Sequence, residues 1–413
     1  MLTGQTQPHG VRLFLVLGSV TVIGPASMDI YLPGLPQLAR DLGASASLSQ
    51  LTVTMFLIGL ALGQFLAGPL SDVHGRRRPL IAGMAAFTVA SLVCALAPNV
   101  YALGAMRLVQ GTMAATGLAV GRAVVRDLYS GAAAARYLSR LMLITGLGPI
   151  VAPLVGGQIL RFTSWRGAFV AIALLGLVLV ITTTRLLPET HPRDRRRAAG
   201  LGETGRAFAR LLADRSFVGF TLISGFGGGA AIGYVAGSSF VLEDVYGASP
   251  QVFSLLFGMN ALFLVLGSQI NAHLVERLSV RRLLGFGLAM MVIAGIGLLA
   301  VVPFRGGGLL VVMPPLTLLM FSWSFVQSNA IALGLTNHPQ IAGSASALLG
   351  VSQFAFGAVV APLVGIAGAN TALPMAIVVA ACGIAAALAF KALVGPVRAV
   401  HVAAVPADVQ LLP

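Results

Sequence analysis

Two charged residues stand where the surrounding sequence allows almost none. Asp29 is the only charge in the apolar stretch LFLVLGSVTVIGPASMDIYLP (13–33), and Arg107 lies about seven residues inside another, at the head of RLVQG (107–111). Burial disfavours the charged form of a carboxyl group, whereas a nearby guanidinium favours it, so a pair of this kind ties proton affinity to geometry. At 1.5 Å per helical residue Arg107 is about 10 Å deep, which is costly unless the side chain is paired or wetted. Plainer accounts compete with this one: Asp29 as a capping or water-facing residue near a helix end, and Arg107 as a structural group bonding helix carbonyls. No second carboxylate shares the helix face of Asp29, since Pro25, Val22 and Thr21 occupy the positions four, seven and eight before it. One acidic site suits one-proton exchange of a neutral or zwitterionic solute better than of a dication.

The elements that hold these residues follow from composition. Of 413 residues, 57% are hydrophobic and 9% charged, too few charges to cover a soluble domain of this size. Apolar runs of about 20 residues, each long enough for a hydrocarbon core of about 30 Å, recur from end to end. They lack the period-2 alternation of a membrane barrel, so they read as helices. Twelve spans are expected, over 11–33, 48–70, 79–98, 100–122, 137–160, 166–187, 216–238, 250–273, 281–303, 308–332, 341–367 and 371–394, with the fourth and fifth irregular from their Gly and Pro content. The first is kept as a mature helix and not a signal peptide, because only Arg12 precedes it and no small-residue cleavage site follows.

The net charge of +14 sorts by side. The even-numbered loops and both termini carry 21 of the 26 Lys and Arg, the odd loops hold Arg40, Arg161, Arg166 and Arg305, and Arg107 lies within a span. Both termini are therefore expected in the cytoplasm, in a multi-pass plasma-membrane protein. The basic excess sets topology and is no nucleic-acid patch. Cys94 and Cys382 fall within apolar runs and read as buried thiols, and the six His lie in loops, at span ends or in the termini, so no disulfide or metal site is expected.

The chain repeats itself. VAPLVG occurs at 151–156 and 360–365, and LGQFLAGPLSDVHGRRRPL (62–80) aligns with LGSQINAHLVERLSVRRLL (266–284), pairing Asp72 with Glu276 and Arg77 and Arg78 with Arg281 and Arg282. Offsets of 209 and 204 between equivalent spans imply two parallel six-span halves. The expected organisation is a bundle over 1–187, a cytoplasmic linker over 188–215 and a bundle over 216–413 with a short tail; linker and tail look unstructured. Such halves point to a secondary transporter with its substrate near the midplane between them.

The loop GPLSDVHGRRRP (68–79) resembles the signature of the major facilitator superfamily through Gly68, Asp72, Gly75, Arg76 and Arg77. Gly68 would permit close helix approach, Gly75 a tight turn, and Asp72 beside the arginines a latch on the cytoplasmic face. Val73 departs from the pattern, since drug exporters usually carry a basic residue there. Arg107, Gln110 and Gly111 resemble the superfamily's R-x-x-Q-G element, associated with coupling in proton antiporters. Gly148, Pro149, Pro153, Gly156 and Gly157 resemble the antiporter motif, which implies export. MDIYLPGLPQLARDLG (28–43) is similar to the opening of the bicyclomycin and chloramphenicol resistance branch of the twelve-span drug:proton antiporters.

The resemblance implies an all-α fold of two pseudo-symmetric six-helix bundles, with the first, fourth, seventh and tenth spans lining a central cavity. It implies a non-enzymatic, monomeric exporter driven by the proton gradient without a cofactor, its partners being protons, the lipid bilayer and a small drug such as an amphenicol; the alternative is export of a sugar, amino acid or nucleoside. Candidate substrate contacts are Trp323 and Gln327, one turn apart in the tenth span, with Tyr31, Asn260 and Tyr234 added. GFGGGAAIG (225–233) lacks the Lys-Ser/Thr of a phosphate loop and reads as a flexible gating helix. No nucleophile–base pair at membrane depth suggests an enzyme. A receptor on the same fold would call for an extra cytoplasmic domain.

Overall fold

Inside a bilayer a backbone can satisfy its own polar groups only within a helix or a closed barrel, and this chain takes the helical course throughout. The computed structural model describes residues 10–129, 131–192, 196, 201–303 and 308–394. Among them are twelve membrane-length apolar helices, at the twelve expected places, and no strand. The first six spans are α1 (Gly10–Asp29) continued by α2 (Leu35–Asp41), then α3 (Ala46–His74), α4 (Arg77–Ala95), α5 (Val100–Leu128), α6 (Gly131–Ile159) and α7 (Trp165–Leu186). A short helix, α8 (Leu201–Ala213), precedes the second six: α9 (Arg215–Ser239), α10 (Pro250–Leu274), α11 (Val280–Val301), α12 (Gly308–Thr336), α13 (Ala342–Val364) and α14 (Leu373–Leu393). The architecture is all-α, two bundles of six.

Several local expectations are corrected. The linker is not without structure: α8 is amphipathic, burying Ala207 and Leu211 while Arg210 stays exposed, and its Phe208 packs edge-on against Phe65 of α3. The rest of the linker at 193–195 and 197–200 and the tail from 395 lie outside the described residues. The fourth and fifth spans are unbroken, α6 running straight through Pro149 and Pro153. The breaks fall in the first span instead, where Pro33 and Pro36 turn the chain after Asp29 through a 3-10 turn, Leu32–Gly34. A second irregularity ends the seventh span, where α9 passes into the π-helical turn Phe240–Val245. The glycine run of α9 is a packing seam: a Cβ at Gly225, Gly228 or Gly233 would meet Phe356, Gln353 or Val360 of α13.

The internal repeat is visible in the contacts. Arg77 Nη2 donates to the Thr184 carbonyl at the end of α7 (2.6 Å), and its aligned partner Arg281 donates to the Val394 carbonyl just past α14 (3.0 Å). Gly157 of α6 faces Ser254 of α10, while Gly365, after α13, faces Gln50 of α3. Under the offsets of the repeat Ser254 corresponds to Gln50, and Gly157 falls one residue from the counterpart of Gly365, so α6–α10 and α3–α13 are the two related seams between the halves. Polar contacts across them include Ser47 Oγ to the Pro362 carbonyl (2.8 Å), Thr54 Oγ to the Ala358 carbonyl (3.0 Å) and Gln251 Nε2 to the Gly157 carbonyl (3.0 Å). Arg40 and Asp244 add an ion pair at 3.3 Å. All four lie toward the ends opposite the basic loops, so the halves are closed on the outer side.

Candidate functional site

Between the halves lies a cavity of about 220 Å³. It is walled by apolar and aromatic side chains: Met28 of α1, Phe56 and Leu60 of α3, Phe257 of α10, Met320 of α12 and Phe354 of α13, among others. Its polar groups are few. Among the described residues they are the Asp29 carboxylate, the Tyr234 hydroxyl, the Trp323 indole and the Gln353 amide, with no Lys or Arg on the wall.

Asp29 is the last residue of α1, held at the cavity by the break that Pro33 and Pro36 impose, and is 5% exposed. Arg107 is fully buried on α5. The expected closeness of the two is not an ion pair: no salt bridge joins them among the described residues. Instead Arg107 Nη1 donates to the Ser27 carbonyl (3.2 Å) and to Gln110 Oε1 (2.6 Å). The carbonyl is one of those left open at the end of α1, so the cation caps the negative end of that helix. Gln110 in turn donates to Ser91 Oγ of α4 at 2.7 Å. The guanidinium carbon lies 4.1 Å from the Phe56 ring centre and 4.5 Å from that of Tyr31, close enough for cation–π attraction. Among the described residues, Nε and Nη2 have no hydrogen-bond partner.

The glycines of these motifs bring backbones together. A Cβ at Gly111 would strike the Phe56 carbonyl of α3, and one at Gly156 the Ile30 carbonyl just beyond Asp29. Gly148 lies against Val22 of α1, Pro149 reaches the cavity wall, and Pro153 is buried. The α6 motif thus touches both the break beside Asp29 and, through Gly157, the opposite half.

Among the candidate substrate contacts, Tyr234 and Trp323 line the cavity. Asn260 supports Tyr234, donating from Nδ2 to its hydroxyl (2.7 Å) while accepting from Thr317 Oγ (2.6 Å). Tyr31 lies beneath Arg107, fully buried, its hydroxyl 3.1 Å from Thr52 Oγ. Gln327 accepts from Ser224 Oγ (3.3 Å) and is not on the wall; Gln353 is. Gln353 is one of the few amides in an apolar span, which was its available sequence signal. Phe56, Phe257 and Met320 had none, since nothing local distinguishes them from packing residues.

On the cytoplasmic face the centre of the network is Arg76. Its side chain is buried and donates from Nε to Asp127 Oδ2 at the end of α5 (2.8 Å), and from Nη1 to Ser71 Oγ (2.8 Å) and to Asp72. Burial opposes its charge, but the two carboxylates more than offset this and hold the guanidinium above its ordinary pKa. Glu189, just past α7, accepts the backbone N–H groups of Arg76 (2.8 Å) and Arg77 (3.4 Å), satisfying open donors at the start of α4. Burial pushes this carboxyl up, yet those bonds, one from the His191 N–H and the charge of Arg196 hold it below the ordinary carboxylate value. Gly75 adopts a positive φ of 85°, and a Cβ there would collide with Glu189 and Arg196. Gly68 does not mediate a close approach: a Cβ there would meet nothing within 4 Å.

The family model described as Major Facilitator Superfamily matches residues 17–362. The chain belongs to that superfamily. It is a transport protein and not an enzyme. It is 39% identical over 392 residues (94% of this chain, 97% of the relative) to YdgK of Bacillus subtilis, described as an uncharacterised MFS-type transporter. It is 30% identical over 383 residues (91% and 94%) to a bicyclomycin resistance protein homolog of Haemophilus influenzae. In fold it is similar to the nucleoside transporter NupG, with a TM-score of 0.76 at 13% identity over 94% of this chain and all of the other. As a superfamily member it is a multi-pass protein of the membrane.

Proposed function

We propose that the protein exports a small, largely apolar solute in exchange for protons, by alternating access. The observation that carries this reading is the central cavity, an apolar and aromatic chamber with Asp29 as its one carboxylate. Asp29 carries the proton. Arg107 biases its charge as the halves 1–187 and 216–413 rock about the linker 188–215, while Arg76 with Asp72 and Asp127 latches the cytoplasmic face. Tyr234, Trp323 and Gln353 orient the solute, and the Gly148–Gly157 segment of α6 supports export. Protons from outside neutralise Asp29, release the solute and favour return inward.

Two solute classes compete. A wall with few hydrogen-bonding groups suits an amphipathic antibiotic of the chloramphenicol type, and the similarity to a bicyclomycin resistance homolog points the same way. Export of a metabolite such as a nucleoside, sugar or amino acid is favoured by the fold neighbour NupG, a nucleoside transporter, and Tyr234 and Gln353 offer hydrogen bonds to one. The deciding experiment is proton-driven uptake into inverted vesicles, run on an antibiotic panel and on labelled nucleosides, sugars and amino acids, with and without an uncoupler. The expected result is uptake of at least one class that collapses with the uncoupler and with Asp29→Asn. Undiminished coupled uptake by Asp29→Asn removes Asp29 from the mechanism, and uncoupler-insensitive uptake removes the proton.

A further inference from the structure

The seventh span continues past the point where its hydropathy fades. The π-helical turn Phe240–Val245 extends α9 and brings two carboxylates, Glu243 and Asp244, to its outer end. Single π-turns within α-helices recur at functional sites, because the widened turn re-aims side chains. Asp244 Oδ1 pairs with Arg40 Nη1 at 3.3 Å, and Arg40 belongs to α2 of the other half. This ion pair therefore bridges the halves on the side where they are closed.

Glu243 is next to that bridge, partly buried, with its Oε1 sealed from solvent and without a hydrogen-bond partner among the described residues. A buried carboxylate oxygen in that condition is costly to charge and much cheaper to keep protonated. The charged groups facing Glu243 are Asp244 and Arg40, and Arg40 is already engaged by Asp244. The other charge on α2, Asp41, accepts a hydrogen bond from Trp165 Nε1 (3.0 Å). The first turns of α10, which also packs against the π-turn, carry no charge. Among the described residues, Arg40 is therefore the one cation facing Glu243 while the outer side is shut, and it is shared with Asp244.

We propose that Glu243 is a second proton-binding group, one that takes a proton from the outer side as the outer gate closes and returns it to that side as the gate opens. Opening withdraws α2 from the π-turn, lets water reach the carboxylate and stabilises its charged form. Because the closed gate binds this proton more tightly, acid outside shifts the equilibrium toward closure and alkali toward opening. The proton never crosses the membrane, so Glu243 sets the outer gate without adding to the exchange carried at Asp29. The inference rests on the alternating-access reading.

The test measures the gate without transport. Nitroxide labels at Tyr101→Cys and Leu373→Cys, on the outer ends of α5 and α14 in a Cys94→Ala, Cys382→Ala background, report the separation of the halves in lipid nanodiscs. Asp29→Asn is included to silence the cavity carboxylate. The expected result is an outer separation that lengthens by several ångströms from about pH 5 to about pH 8 and no longer responds once Glu243→Gln is added. Asp244→Asn should raise the open population at every pH yet keep the response. A response that survives Glu243→Gln, one absent from the Asp29→Asn protein, or one abolished by Asp244→Asn overturns the proposal. Vesicle uptake by the unlabelled protein is judged separately, so a gate that ignores pH in an active transporter sinks Glu243 alone.

Discussion

Replacing Arg107 by leucine separates stability from coupling. The substitution removes hydrogen bonds to the Ser27 carbonyl and Gln110 Oε1, worth about 1.5–3 kcal/mol each for a charged donor and nearer 0.6 on the membrane scale. It also removes cation–π contacts with Phe56 and Tyr31, worth about 2 kcal/mol each when desolvated. Against these losses, it relieves a fully buried guanidinium whose Nε and Nη2 have no partner among the described residues. Burying such an ion costs several kcal/mol, and replacing buried charge by apolar side chains of similar volume is often neutral or stabilising. The opposing contributions are of the same size, so Arg107→Leu should lie within about 2 kcal/mol of the wild-type stability. Proton-driven uptake, in contrast, should fall at least about ten-fold, the equivalent of ~1.4 kcal/mol of lost charge coupling. Thermal unfolding in detergent, followed by intrinsic tryptophan fluorescence, gives the first quantity and inverted-vesicle uptake per folded molecule the second. A loss beyond about 4 kcal/mol with uptake per folded molecule intact would make Arg107 a structural cap of α1 and refute the coupling argument.

Three further expectations concern the motifs. Gly156→Val places a Cβ against the Ile30 carbonyl and should cost about 1–3 kcal/mol by overpacking along with export, whereas Gly68→Ala, in open space, should leave export unchanged and gain up to about 1 kcal/mol from helix propensity; thermal midpoints and uptake check both. Asp127→Asn strips the buried Arg76 of one charged partner and should lower stability by about 3 kcal/mol, more than Asp72→Asn does, because Asp72 is the more exposed carboxylate. Glu189 has a folded pKa below its ordinary value of 4.5, so its contribution is fully present above that value and is lost as pH falls through the lower folded value; Glu189→Gln should flatten the acid limb of the unfolding profile, and an unchanged limb would assign it elsewhere.

Much of this molecule is legible in one dimension. Hydropathy locates twelve spans because the bilayer acts on each segment separately, and the alternation of Arg-rich loops orients them. The repeat at offsets of 204 and 209 is recovered in matched contacts, Arg77 on Thr184 and Arg281 on Val394. Errors of detail came where local composition and tertiary packing disagree. Pro149 and Pro153 suggest an irregular span, but α6 is one continuous helix through both; the glycines of α9 suggest flexibility, but α13 packs into them. Glu243 carries no signal in the sequence because it lies beyond the apolar run, and only the π-turn carries the helix that far.

By itself the sequence determined the number of spans, their orientation, the division into halves and the isolation of Asp29 and Arg107 as charges at membrane depth. Each of these depends on what a residue is and on what stands within one helix of it. The tertiary structure alone decided that Arg107 caps α1 between two aromatic rings without pairing to Asp29, that Asp127 completes the Arg76 cluster, and that Gln353 and not Gln327 reaches the cavity. Those outcomes depend on which helix faces come together across tens or hundreds of residues, and hydropathy, which is nearly the same on every face of a buried span, does not encode that choice.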